Sequence, residues 1–386
     1  MLLKLVKSFL QIGAVSFGGY MSMVMHVRRK LVDEEKLVTE EDFSKGLALA
    51  SILPGPVAVN VSVYCGYLLA GIAGAAISLI SVLAPSFIMM VALFYSLDAA
   101  TKLVQLDTLI FMVAGVAFGL ILAAGVQQTR KYCTDNVSVG VFLVSFLLLF
   151  FFNGYLTILA LLVVWSITAQ FVVKAPQNTE SLVASRETGK VGLPLVLVLV
   201  LIASGFLTST FFLAEVFFQF SKISLTTFGG AYVVVPLMKN VLVDQLSWIS
   251  SDDLLLGISL GQLTPGPLLI SAAFFGQKLG GLPGAFMATA GMFVPTGMVM
   301  IISAQYLSQI QHSVFISRAM KLIHPFVAGL IVYAAVNILV TSYADVSKAW
   351  YFIWWVACFF LIYFFSVKPI WLIGLSLASG LVFLML

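Results

Sequence analysis

Six predominantly apolar runs, 72–97, 107–126, 155–173, 281–308, 319–341 and 369–386, set the limits on any fold for this chain. At about 1.5 Å per helical residue, such runs match a hydrocarbon layer roughly 30 Å thick. Inside that layer every backbone N–H and C=O must be satisfied by the protein itself, which leaves helices or a closed barrel. The alternation of barrel strands is absent, so the sequence predicts an all-α polytopic membrane protein. Composition agrees: 9% of the 386 residues are charged and 61% are hydrophobic, against about 25% charged in soluble domains.

Several chemistries are excluded early. Cys65, Cys133 and Cys358 form no CxxC pair, and their odd number argues against a disulfide framework. His26, His312 and His324 lie far apart without ligand spacing, so no metal site and no cofactor is expected. No GxxxxGK[ST] signature or soluble domain is present to hold a nucleotide, which excludes ATP-driven transport by this chain alone. The net charge of +4 follows loop placement and implies no nucleic-acid partner.

The chain is also written twice. Shifted by 211 residues, SFGGY at 16–20 falls on TFGGA at 227–231, and LVD at 31–33 falls on LVD at 242–244. Asp42 meets Asp253, Gly46 meets Gly257, and LPGP at 53–56 meets TPGP at 264–267. After one deletion the shift is 210, pairing Gly71 with Gly281 and Pro85 with Pro295. The N-terminal stretch has the basic-then-apolar look of a signal peptide, but its internal copy places it in the mature fold. The expected organisation is a repeat over 1–173, a polar linker and connecting helix over 174–210, and a second repeat over 211–386.

Both PGP segments interrupt an apolar run, where an interior proline costs roughly 3 kcal/mol. Thr39 with Asp42, and Ser250 with Asp253, have capping-box spacing. Helices therefore start near residues 40 and 251, stop at the prolines, and restart with proline in the first turn. Such matched breaks in two repeats point to a transporter's central site. A restarted helix offers unpaired N–H groups and about half a positive charge to an anion. Two such ends brought towards the bilayer centre would add to roughly one charge. If the FGG and PGP segments both dip and return, 15 of the 20 basic residues share one side; if both cross, the split is 9 against 11. The positive-inside rule favours the first arrangement. The fold expected is thus two inverted-topology repeats with discontinuous, re-entrant half-helices at FGG and PGP, and a cytoplasmic N-terminus. In it, 127–136 and 309–318 are cytoplasmic, while 98–106 and 342–348 are external.

SFLQIGAVSFGG, RRKLVDEEKLVTEEDFSKGLALASILPGP and NVSVYCGYLLAGIAGA together resemble the chromate ion transporter family. LVDQLSWISSDDLLLGISLGQLTPGP resembles the C-terminal half of its two-domain members. The resemblance implies a bacterial inner-membrane protein that expels chromate, a tetrahedral dianion similar to sulfate. Two positions depart from the family pattern: Ser51 stands where a glutamine is frequent, retained as Gln262, and Leu37 stands where Trp248 keeps a typical tryptophan.

The candidate substrate-binding residues lie around the joints. They are Pro54, Gly55, Pro56 and Asn60 in the first repeat, with Pro265, Gly266, Pro267 and Ser271 in the second. The FGG segments contribute Phe17, Gly18, Gly19, Thr227, Phe228, Gly229 and Gly230, and neutral donors come from Gln262, Thr264 and Thr226. The small residues can equally serve close helix contact. Glu215 and Lys222, seven residues apart on one helix face, are ionisable groups in an apolar segment and thus candidates for coupling or charge pairing. Arg28 and Lys45 are further charge candidates. The reading is a secondary transporter or uniporter of a small oxyanion, chromate or sulfate, in a lipid bilayer, with a homodimer left open. An anion channel and a membrane-embedded redox enzyme are the alternatives.

Overall fold

The computed structural model describes residues 2–17, 20–101, 107–152, 154–173, 211–228, 231–306, 313–342 and 349–385. Among them every regular element is a helix. The first repeat holds α1 (Leu2–Val15), α2 (Tyr20–Arg28), α3 (Glu40–Ile52), α4 (Val57–Thr101), α5 (Asp107–Tyr132), α6 (Asn136–Phe151) and α7 (Tyr155–Val172). The second holds α8 (Phe212–Leu225), α9 (Val234–Met238), α10 (Ser251–Leu263), α11 (Ser271–Ala304), α12 (Val314–Ser342), α13 (Ala349–Phe365) and α14 (Pro369–Met385). The expected linker and connecting helix at 174–210 lie outside the described residues, as do Gly18, Gly19, Gly229 and Gly230.

Length and apolar composition suffice for five of these segments to cross a membrane: Val57–Leu97, Met112–Tyr132, Tyr155–Val172, Leu268–Ala304 and Val314–Val340. Their outer faces carry large apolar side chains such as Ile72, Ile80, Phe171 and Phe286, all exposed, as a lipid-facing surface requires. The chain is a multi-pass membrane protein.

Helix starts follow local chemistry. Thr39 accepts from the Asp42 N–H at 3.1 Å, and Ser250 and Asp253 complete a reciprocal box. Asp135 and Ser138 form a second reciprocal box at the start of α6, where the hydrogen bond from the Ser138 N–H holds the Asp135 carboxyl below its usual range. Helices restart directly after the second proline rather than on it: Pro267 is an extended cap residue with φ −78° and ψ 141°.

The long helices are folded, not straight. At Ala70 and Gly71 the backbone of α4 leaves helical geometry, and at Gly280 and Gly281 that of α11 does the same. Gly66 lies against the Gly74 carbonyl, and Gly276 against the Gly284 carbonyl. Residues eight apart meet backbone to backbone only where a helix reverses. Gly46 likewise packs on Tyr64, and Gly257 on Phe275. Each of these pairs lies equally far before and after its PGP joint, so the half-helices fold back on each other there. Ser8 donates to Glu35 at 2.7 Å, which closes α1 onto the chain that follows α2. Each repeat thus folds back on itself at its PGP joint, and in the first repeat α1 also closes against the chain that follows α2.

Backbone fingerprints repeat with the sequence. π-helical turns follow α2 and α9 at Arg29–Glu34 and Lys239–Gln245. Positive φ recurs at Lys36 and Ser247, Gly55 and Gly266, and Gly71 and Gly281. The second arms of α4 and α11 run antiparallel. Phe87 meets Phe286 with ring centroids 4.6 Å apart, while Leu79 faces Gly297. The repeats also clasp each other: Trp354 of α13 and Ser376 of α14 both donate to the Met112 carbonyl of α5, at 2.9 and 3.2 Å. On the other side Arg318 of α12 donates to the Gln170 carbonyl of α7 at 3.2 Å.

Candidate functional site

Each PGP bend is completed by the opposite repeat. The Gly55 N–H donates to the Thr227 carbonyl at 2.8 Å, and the Gly266 N–H donates to the Ser16 carbonyl at 2.7 Å. Gly55 lies against Thr296, and Gly266 against Ser86, whose hydroxyl donates to the Pro265 carbonyl. Ser86 and Thr296 are equivalent positions, each following the matched proline of its arm. Such reciprocal exchange is the signature of a two-fold relation between similar units. Two crossings result, one joining FGG of the first repeat to PGP of the second, the other the reverse.

Glycine is required at both bends. Their φ values are 99° and 104°, in the region that side-chain-bearing residues avoid. An added Cβ would also strike Thr296 or Ser86. The glycine amides therefore hold the crossings, while the open N–H groups expected from the sequence are those of the restarted helix. At the first joint the helical ladder begins with the Asn60 N–H to the Pro56 carbonyl, 2.9 Å. That leaves the amides of 57–59 outside the ladder. The two ends are not pooled at one point. Thr296 lies ten residues beyond Phe286, which faces Phe87, while Gly297 faces Leu79, so the crossings are separated by roughly 10–15 Å along the arms.

Both joints hold buried polar atoms without partners among the described residues: Asn60 Oδ1 and Ser271 Oγ, at matched positions. Asn60 Nδ2 is taken by the Pro54 carbonyl at 3.1 Å, so the site offers an acceptor at one joint and a hydroxyl at the other. Orphaned buried groups in matched places call for a guest or water. Thr226, Thr227 and Thr264 are buried, and their hydroxyls are spent on the carbonyls of Lys222, Ile223 and Gly261.

A cavity of about 490 Å³ reaches the crossing between the first FGG and the second PGP, and is lined by Phe17, Leu120, Gln127, Tyr232, Gln262 and Lys368, among others. It brings together the expected site residues Phe17 and Gln262. The amide of Gln262 donates to the Tyr232 hydroxyl at 3.1 Å. Tyr232, Gln127 and Lys368 were not legible as site residues in the sequence; Gln262 facing Ser51 across the repeats was the only pointer. The Ser51 hydroxyl is exposed and bonded to the Leu47 carbonyl, so it offers nothing to a site. Phe228, matched to Phe17, is half-buried.

The charge candidates divide. Arg28 is bound to Glu40 and Asp33 at the surface, and Lys45 to Glu41, whose hydrogen bond raises the lysine's pKa. Both are surface ion pairs, placed away from the joints. Lys222 is buried, with its ammonium 3.9 Å from the centre of the Tyr155 ring. Glu215 sits in the first turn of α8, and none of the described ion pairs joins it to Lys222.

The match to known proteins runs through both halves. The chain fits the family described as chromate transporter over residues 3–171 and again over 214–382. It belongs to the chromate transporter family. Over 310 residues it is 29% identical to a protein of Synechococcus elongatus named "Probable chromate transport protein", covering 78% of this chain and 76% of that one. It is 28% identical over 315 residues to the chromate transport protein of Cupriavidus metallidurans, covering 78% and 74%. An uncharacterized transporter of Methanocaldococcus jannaschii is 28% identical over 349 residues, covering 86% and 82%. No solved structure matches. The family consists of transport proteins rather than enzymes, so the chain carries ions across a membrane.

Proposed function

We infer that the chain exports chromate from the cytoplasm of a bacterial cell as a secondary transporter or uniporter, with the N-terminus cytoplasmic and the repeats inverted in the inner membrane. The observation that carries this reading is the reciprocal crossing, in which Gly55 binds Thr227 and Gly266 binds Ser16. Broken helices that interlock across two repeats are the usual setting of a transporter site. The antiparallel arms of α4 and α11 support inversion, and the fold-back at each PGP joint supports re-entrance from opposite faces. Energetics favour export. One charge moving through 100 mV is worth about 2.3 kcal/mol, so a dianion leaving an interior at roughly −150 mV gains about 7 kcal/mol. Uptake of the same ion needs a coupled cation.

The test is flux in proteoliposomes with an imposed potassium-diffusion potential. Saturable chromate movement towards the positive side, accelerated by the potential, is expected. Sulfate moving with higher kcat/KM would change the substrate. Flux that rises linearly with concentration would make the protein an anion channel.

A further inference from the structure

We propose that the cavity over the first FGG is the cytoplasmic vestibule for the anion, that Lys368 is its recruiting charge, and that Tyr232 with Gln262 forms the donor floor where the anion sheds water. This rests on the oxyanion reading above and adds which of the two crossings is entered first. The mouth is formed by the exposed Gln127 near the end of α5 and the exposed Lys368 in the turn between α13 and α14. Arg130 lies one turn beyond Gln127, its guanidinium 5.1 Å from the centre of the Tyr363 ring, and adds to the positive rim. Among the described residues no acidic side chain lines the cavity and no carboxylate pairs with Lys368. A cleft of one sign with low-dielectric walls concentrates counter-ions and speeds their entry.

The floor is built to donate. A tyrosine hydroxyl has one proton and accepts through its lone pairs. Because Tyr232 accepts from Gln262, its own proton is left for another acceptor, and among the described residues none takes it. An oxyanion in the cavity supplies that acceptor. The volume of about 490 Å³ holds a tetrahedral ion with part of its hydration, since a water's share of liquid is about 30 Å³.

The twin crossing lacks this equipment. Met21 stands where Tyr232 does, Ser51 where Gln262 does, and the turn at 152–154 between α6 and α7 carries no basic residue. Duplication alone would have produced two vestibules. The chain has kept donors on one side only, and that side carries Arg130, Lys131 and Lys368, the end expected to be cytoplasmic.

The experiment uses full-length protein in oriented proteoliposomes, with chromate as the probe. Lys368→Gln is expected to raise KM for chromate entering at the cytoplasmic face by about tenfold, with little change in kcat and a flatter dependence on ionic strength. Lys368→Arg should restore both. Lys368→Cys, in a background without the three native cysteines, should regain low KM when a cationic methanethiosulfonate restores the ammonium, and not with a neutral reagent of similar size. Gln262→Ala and Tyr232→Phe should lower kcat as well. Unchanged KM and salt dependence in Lys368→Gln, or equal rescue by the neutral reagent, would overturn the vestibule while leaving the transport function standing. Absence of chromate and sulfate flux in the wild type would instead remove the function on which it rests.

Discussion

Gly55 and Gly266 concentrate the fold's demands in two atoms each: a backbone N–H that reaches the other repeat, and a missing Cβ. Replacing either with alanine forces a side chain into the positive-φ region and into Thr296 or Ser86. A single residue in that region costs roughly 1–2 kcal/mol before any clash. Gly55→Ala and Gly266→Ala are therefore expected to reduce chromate flux per folded molecule at least about tenfold. Gly71→Ala separates the two causes. Its φ of 60° and ψ of −149° are equally unsuited to alanine, but no atom lies within 4 Å of the added carbon. It should lower thermal stability by roughly 1–3 kcal/mol with KM unaltered, measured by fluorescence-detected melting beside flux. Loss of flux in Gly71→Ala as severe as in the bend variants would show that strain alone, and not the crossings, limits transport. Ser271 offers a second residue-level test. Its hydroxyl is buried and has no partner among the described residues, so removing it relieves a desolvation cost. Ser271→Ala should leave stability equal or higher and raise KM for chromate; an unchanged KM would place Ser271 outside the path.

At the scale of elements, α8 differs from the sequence reading. Glu215 and Lys222 share a face but lie two turns apart, and the lysine bends to the Tyr155 ring at the start of α7. An ammonium over an aromatic face gains about 2 kcal/mol where water is excluded, and this contact ties Lys222 to the start of α7. Tyr155→Leu should thus impair flux nearly as much as Lys222→Met, while Glu215→Gln should be mild; saturation curves for the three variants decide it. Which parts were legible follows from range. Caps at Thr39, Asp135 and Ser250, breaks at the PGP bends and the reversal beside Gly71 are dictated within a few residues by side-chain hydrogen bonds and by proline and glycine. Of these, the cap at Asp135 was not foreseen, although its chemistry is equally local. The pairing of Gly55 with Thr227 and Thr296, and of Gly266 with Ser16 and Ser86, joins residues far apart in the chain, and no local pattern encodes it. The donors Tyr232 and Lys368 were hidden for the same reason: one follows the FGG segment and the other sits in a turn, and only folding brings them to one cavity.

For the whole molecule, vestibule, export direction and inversion all depend on sidedness. Two repeats whose long arms run antiparallel around a two-fold must present equivalent loops to opposite faces once the arms cross the bilayer. From the basic asymmetry we propose that residues 127–136 are cytoplasmic and 342–348 external. The native chain already carries a reporter: Cys133 is half-buried just beyond α5, whereas Cys65 and Cys358 are fully buried. Burial, with Asp135 nearby, raises the Cys133 thiol's pKa, so fewer thiolates are present at neutral pH and labelling is run at roughly pH 8.5. In intact cells, Cys133 should resist a membrane-impermeant maleimide and react with a permeant one. A cysteine placed within 342–348, in a Cys133→Ser background, should react with both. Strong labelling of Cys133 from outside would place the Lys368 mouth on the exterior and reverse the direction of entry. Labelling of both sites from the same side would remove the inversion itself.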